Sequence, residues 1–129
     1  MGTREVHIDP DNPFLTYSRK CNLDRIVVQG VLEFVPVGET VVALNNWRRY
    51  LKLGGEFVLI FPDFIRAAFL YKRNTLSYEA LVEIVNHENL LDRERIENML
   101  TIRYSEVNEV SYLEGVSKKV FETILIAKK

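Results

Sequence analysis

The sequence predicts an α/β domain built on a mixed, mostly parallel sheet with an antiparallel C-terminal hairpin. Two observations carry that prediction. The apolar run Ile26-Val27-Val28, a stretch of helical periodicity and the apolar run from Phe57 to Phe61 follow one another as strand, helix and strand. That order implies a parallel pair joined by a right-handed crossover. Two later extended stretches, joined by a short Gly-containing turn, imply a hairpin at one edge of the sheet.

Taken in order, residues 4–8 read as a short strand that ends at Asp9-Pro10-Asp11-Asn12-Pro13, a cluster that must turn. Residues 14–22 show no clear period. Residues 25–29 form a second strand, whose unbroken apolar centre suits burial on both faces. A helix is predicted over 38–52, with Val41, Leu44, Trp47 and Leu51 as its apolar stripe. Arg48, Arg49 and Lys52 suit the negative end of its dipole, and Gly54-Gly55 are expected to cap it. A strand over 57–61 follows and is closed by Pro62. Helices are expected over 63–72, over 77–88, and from Asp92 as N-cap, with Leu91 and Ile96 spaced as a hydrophobic staple. Residues 103–112 read as extended, Leu113-Glu114-Gly115 as a turn, and 120–127 as a final strand of alternating pattern. Val27, Leu32, Trp47, Leu51, Val58 and Ile60 are the expected core, in one cluster.

The 129 residues carry a formal net charge of −1 and are 47% hydrophobic, enough for the core of one domain spanning residues 1–129. The charge balance supplies no electrostatic case for nucleic acid. The basic pairs Arg48-Arg49 and Lys118-Lys119 read as solvated surface. Cys21 is the one cysteine, so no disulfide forms within the chain; with His7 and His87 it makes no metal-ligand spacing, and it reads as a small buried hydrophobe. The longest apolar run is too short to span a bilayer. A cytoplasmic protein, or a component of a viral particle, is expected.

Two segments carry a family resemblance. Leu23-Asp24-Arg25-Ile26-Val27-Val28-Gln29-Gly30-Val31-Leu32-Glu33-Phe34-Val35-Pro36 resembles the fourth strand and following V-L-E-H-V loop of class I S-adenosylmethionine-dependent methyltransferases, with Phe34 in place of the usual His. Arg49-Tyr50-Leu51-Lys52-Leu53-Gly54-Gly55-Glu56-Phe57-Val58-Leu59 resembles the R-V-L-K-P-G-G turn between the helix and the fifth strand, with Tyr50 and Leu53 in place of the customary Val and Pro. Phe61-Pro62-Asp63 is similar to the end of that strand, and the closing Phe-Glu-Thr-Ile-Leu-Ile-Ala-Lys-Lys is similar to the antiparallel last strand. The resemblance implies a truncated Rossmann-like methyltransferase fold. Leu32, Val35 and the Gly-Gly turn make the fold rather than the chemistry.

The same resemblance marks what the chain lacks. The family holds its cofactor on a glycine-rich loop after the first strand, where the backbone approaches the ligand closely. No G-x-G occurs here. Residues 4–8 look like the family's second strand, which makes Asp9 the matching ribose-binding acid; Asp9 reads equally well as the residue that opens the turn before Pro10. Only fourteen residues separate Asp9 from Asp24, too few for the usual helix and third strand. Residual cofactor contacts are assigned by the resemblance to Asp9, Gln29 and Gly30, as a vestigial set, with no catalytic residue and no metal.

Three readings follow. The first is a reduced, non-catalytic methyltransferase-like domain that serves as a structural or interaction subunit of a homo-oligomer or of a larger assembly such as a viral one. The second is an active methyltransferase, minimal or completed by a partner chain. The third is an unrelated α/β domain. No cofactor is expected on the isolated chain; S-adenosylmethionine is expected if it is active. A protein partner is expected at the N-terminal segment or at the strand edge left by the missing first strand.

Overall fold

The structure is a computed structural model and describes residues 4–16 and 21–129. The N-terminal Met-Gly-Thr and four residues of the aperiodic stretch 14–22 lie outside the described residues. A five-stranded sheet runs through the molecule, with strands β1 (Glu5–His7), β2 (Leu23–Gln29), β3 (Leu51–Pro62), β4 (Glu106–Val110) and β5 (Glu122–Lys128) in the order β1-β2-β3-β5-β4. β1, β2 and β3 are parallel, while β5 is antiparallel to both β3 and β4. The mixed sheet with its antiparallel C-terminal edge is therefore present. The connection between β4 and β5 covers residues 111–121, longer than the short turn expected, with Gly115 inside it at φ +80°.

Four helices accompany the sheet: α1 (Thr40–Tyr50), α2 (Phe64–Lys72), α3 (Tyr78–Val85) and α4 (Arg93–Thr101). Side chains alternate across each strand, which divides the core in two. On one face Ile26, Val28, Phe57, Leu59, Phe61 and Leu125 pack against Leu44 and Trp47 of α1 and Ile96 and Leu100 of α4. On the other, Val27, Val58, Ile60 and Ile124 form a smaller cluster, packed by Leu113 and Val116 of the β4–β5 connection. Among the described residues no helical side chain joins that cluster. All six expected core residues are buried, but three belong to each face, so the single cluster is corrected to two. Beyond the apolar centre of the second face, one row across all five strands alternates in charge: Glu5, Arg25, Glu56, Lys128 and Glu106.

The helix boundary differs from expectation. α1 ends at Tyr50, and Leu51 is already extended and paired with Leu23. Gly54-Gly55 do not cap the helix; they lie within β3. The carbonyls at the helix end are instead satisfied from a distance. The amides of Cys21 and Asn22 donate to Arg49 and Tyr50, and the Lys129 ammonium donates to Arg48 and Leu51. Lys52, outside the helix, pairs with Asp24. The register slips here, Leu23 facing Leu51 but Arg25 facing Glu56. A Cβ on Gly55 would lie 2.9 Å from the carbonyl oxygen of Lys52 and 3.1 Å from that of Leu23, so only glycine lets the bulge fold down on β2.

The buried face of α1 is Thr40, Ala43, Leu44, Trp47 and Tyr50, rotated away from Val41, which is exposed. Arg48 is not solvated surface: its Nε donates to the Arg103 carbonyl at 2.7 Å. Cys21 is exposed rather than buried. The helix starts at Asp63, Ser77 and Asp92 stand as N-caps, each side chain accepting from backbone amides of the first turn. Leu91 and Ile96 share the main core.

Candidate functional site

In a parallel α/β sheet, ligands sit at the carboxyl ends of the strands. Here that end is formed by Asp9 after β1, Gly30 after β2 and Asp63 after β3, with Glu122 at the start of the antiparallel β5 beside Pro62. β1 pairs directly with β2, in the place the missing first strand would hold, and the Ile8 amide continues the ladder to Val27 at 2.9 Å.

The three residues assigned from the sequence do not converge. Asp9 is exposed, and its carboxylate accepts the Asp11 amide at 2.9 Å while its carbonyl accepts that of Asn12 at 3.0 Å. It closes its own turn. The cavity beside it has a volume of about 150 Å³. Gln29 is exposed and its side-chain amide donates to the Ser117 carbonyl at 2.6 Å, tying the β4–β5 connection over the sheet. Gly30 alone of the three reaches a second cavity at the strand ends. Its φ of +68° turns the chain into a single 3-10 turn, residues 32–34, that carries Glu33.

That cavity, about 340 Å³, lies between the ends of β2 and β3, the last turns of α3 and the approach to β5; its walls include Glu33, Phe34, His87, Lys119 and Glu122. Glu33 is 5% exposed, and its Oε1 has no hydrogen-bond partner. Burial raises its carboxyl to about 7; its own backbone amide lowers it, neighbouring Glu122 raises it further, and Lys119 opposes. His87 meets Phe34 edge-on, with ring centroids 5.1 Å apart, and its buried Nδ1 is also unpartnered. Burial lowers its pKa, against an upward pull from Glu83. Glu122 is buried and accepts the Lys119 amide at 2.8 Å. Chemically, a carboxyl that ionises near neutrality, open to a cavity, can take a proton from a bound group or pair with a bound cation. Asp63 is occupied otherwise: it caps α2 and accepts the Arg93 amide at 3.1 Å, joining α4 to the strand end.

Glu33, His87, Lys119 and Glu122 escaped the sequence reading. The one available signal was Glu33, a carboxylate enclosed by Val31, Leu32 and Val35, all buried. Among the described residues no group of three His, Cys, Asp or Glu side chains is placed to hold a metal ion, and no helix is long and apolar enough to cross a membrane.

The fold is that of a class I methyltransferase-like domain. It superposes on a SAM-dependent methyltransferase from Thermotoga maritima, described as a possible histamine N-methyltransferase, with a TM-score of 0.65 and 12% identity, over 99% of this chain and 82% of that one. A SAM-dependent methyltransferase from Archaeoglobus fulgidus aligns over 99% of this chain and 87% of its own, with a TM-score of 0.60 and 13% identity. The CurJ carbon methyltransferase gives a TM-score of 0.56 and 19% identity; 84% of this chain matches, and the match spans only 30% of CurJ. No protein-family profile and no curated protein matches the sequence.

The fold implies S-adenosylmethionine, and the residues after β1 do not fit it. Pro10 and Pro13 have no N–H to offer, Oδ1 of Asp9 is taken by the Asp11 amide, and the adjoining cavity falls below the ~300 Å³ at which small-molecule sites begin.

Proposed function

We propose that this chain is a reduced methyltransferase-like domain that acts, without methyl transfer of its own, as an interaction subunit of a homo-oligomer or larger assembly. The closed turn from Asp9 to Pro13, standing where a cofactor cradle would be required, carries this reading. The partner surface is centred on the face of α2 where Ile65 and Phe69 lie one turn apart and exposed, beside the exposed Tyr71, Tyr78 and Val85 of α2 and α3. A run of large apolar side chains on two adjoining helices marks a contact surface. The free edge of β1 is a poorer candidate, because it is three residues long and carries the charged Glu5, paired with Arg25 of β2 and hydrogen-bonded to the His7 ring, which discourages strand addition.

Calorimetric titration of the pure chain with S-adenosylmethionine and its demethylated product tests the reading. Micromolar affinity is worth about −8 kcal/mol, and the contacts left to Asp9 and Gly30 fall short of it. No saturable micromolar binding is expected; finding it would transfer the weight to an active enzyme. That second reading, completion by a partner chain, draws support from the cavity of about 340 Å³ at the carboxyl ends of β2 and β3, with Glu33 open to it. Methyl transfer that arises only when the partner is added would establish it.

A further inference from the structure

We propose that the cavity between the ends of β2 and β3 is a binding site for a small organic cation, an arylalkylamine in its ammonium form, held by the Glu33 carboxylate. The inference goes beyond the subunit role and does not rest on it. Four observations support it. The volume, about 340 Å³, lies within the ~300–1,000 Å³ of small-molecule sites and is more than twice that of the cavity beside Asp9. Glu33 is 5% exposed and lines the cavity, and its Oε1, itself buried, has no donor. A buried carboxylate with one oxygen left unpaired is a costly arrangement that an incoming ammonium relieves.

The third observation is the charge of the walls. Glu33, Glu83 and Glu122 line the cavity, against one cation, Lys119, whose ammonium is drawn over the Phe121 ring at 5.7 Å. Among the described residues no ion pair reaches Glu33; the ion pairs of the structure lie elsewhere. The fourth is the apolar remainder of the wall. Phe34 stands edge-on to His87, and with Pro62 and Ile84 it offers a surface for an aromatic or alkyl body. Absence of a three-ligand cluster among the described residues turns the chemistry away from a bare divalent metal.

Glu122 at the start of β5 and Lys119 in the preceding connection act on Glu33, and Glu83 and His87, at the end of α3, line the same cavity. Its carboxyl ionises at about 7 in the free protein, so a cation must displace its proton below that pH. His87, lowered from 6.5, loses its own proton on the same upward course, and both changes strengthen cation binding as pH rises.

The test is calorimetry of the whole chain with 2-phenylethylammonium, against phenylacetate and 2-phenylethanol as anionic and neutral analogues. The cation alone is expected to bind saturably, roughly tenfold more tightly at pH 8 than at pH 6, as the ionised fraction of Glu33 dictates. Repeating the pH 6 titration in buffers of different ionisation enthalpy is expected to show release of about one proton per cation bound. Glu33→Gln, with folding checked by circular dichroism, is expected to lose most of the binding at pH 8 and most of the pH dependence. No saturation into the tens of millimolar, equal binding of the analogues, or no proton release from the wild-type protein would each overturn the proposal; the proton count does not depend on any variant folding.

Discussion

The indole N–H of Trp47 donates to the carbonyl oxygen of Pro13 at 2.6 Å. The side chain is fully buried, stacked at 5.8 Å on Phe57, which stacks in turn on Tyr104 at 5.8 Å. Asn46, one residue earlier on α1, exchanges two hydrogen bonds with the backbone of Leu15. The segment after the Asp9 turn is thus docked on α1 by two side chains. Trp47→Phe keeps the ring stack and loses the bond, and is expected to cost about 1 kcal/mol. Trp47→Ala is expected to cost about 3–5 kcal/mol. Urea denaturation of both variants measures the costs, and hydrogen exchange at the Leu15 amide should quicken in each.

Gly55 predicts a backbone effect. A methyl group there meets three carbonyl oxygens, of Lys52, Leu23 and Asp24, at 2.9–3.2 Å, and none of them is a flexible side chain. Gly55→Ala is expected to destabilise by about 1–3 kcal/mol. Gly38→Ala, where nothing lies within 4 Å, is the control and should stay within about 0.5 kcal/mol.

Gly55 also shows why part of the fold was legible in the sequence and part was not. The apolar runs of β2 and β3 and the spacing of Leu44 and Trp47 are local patterns, and they placed strand, helix and strand in the right order, although Leu51, at the end of the predicted helical stripe, opens β3. The end of α1 depends on Cys21, Asn22 and Lys129, partners remote in sequence, so a local Gly-Gly signal was misassigned as a cap. The site was less legible for the same reason. Gln29 and Gly30 adjoin the right end of the sheet, but Glu33, His87 and Glu122 meet only because α3 and β5 fold back over the end of β2. Asp9 reads as the acid closing a second strand, but β1 pairs directly with β2, in the first strand's place, and Asp9 there closes its own turn.

Glu33 makes stability depend on pH. Its carboxyl is raised from 4.5 to about 7 by folding, so between those values the folded chain holds a proton that the unfolded chain has released. The contribution is therefore favourable at low pH and is lost as pH rises from about 4.5 to 7, a change of roughly 3 kcal/mol at most. Glu33→Gln removes the titration. Denaturation midpoints across pH 5–8 should fall less steeply in the variant, and at pH 8 the variant should be the more stable protein.

The exposed face of α2 predicts association. Ile65 and Phe69 are one helical turn apart and each more than half exposed. The double change Ile65→Ser, Phe69→Ser is expected to weaken self-association or partner binding at least tenfold, read by sedimentation, with a change in unfolding free energy within about 1 kcal/mol because neither residue is buried. Unchanged association would move the partner surface elsewhere.

The central claim is that the end of β1 has no cofactor cradle, and amide chemical shifts test it most directly. As S-adenosylmethionine is raised to millimolar concentration over the pure chain, the amides of Asp9, Asp11, Asn12, Leu15 and Gly30 are predicted to stay in place. Saturable shifts of those amides, centred on the Asp9 turn, would contradict the account.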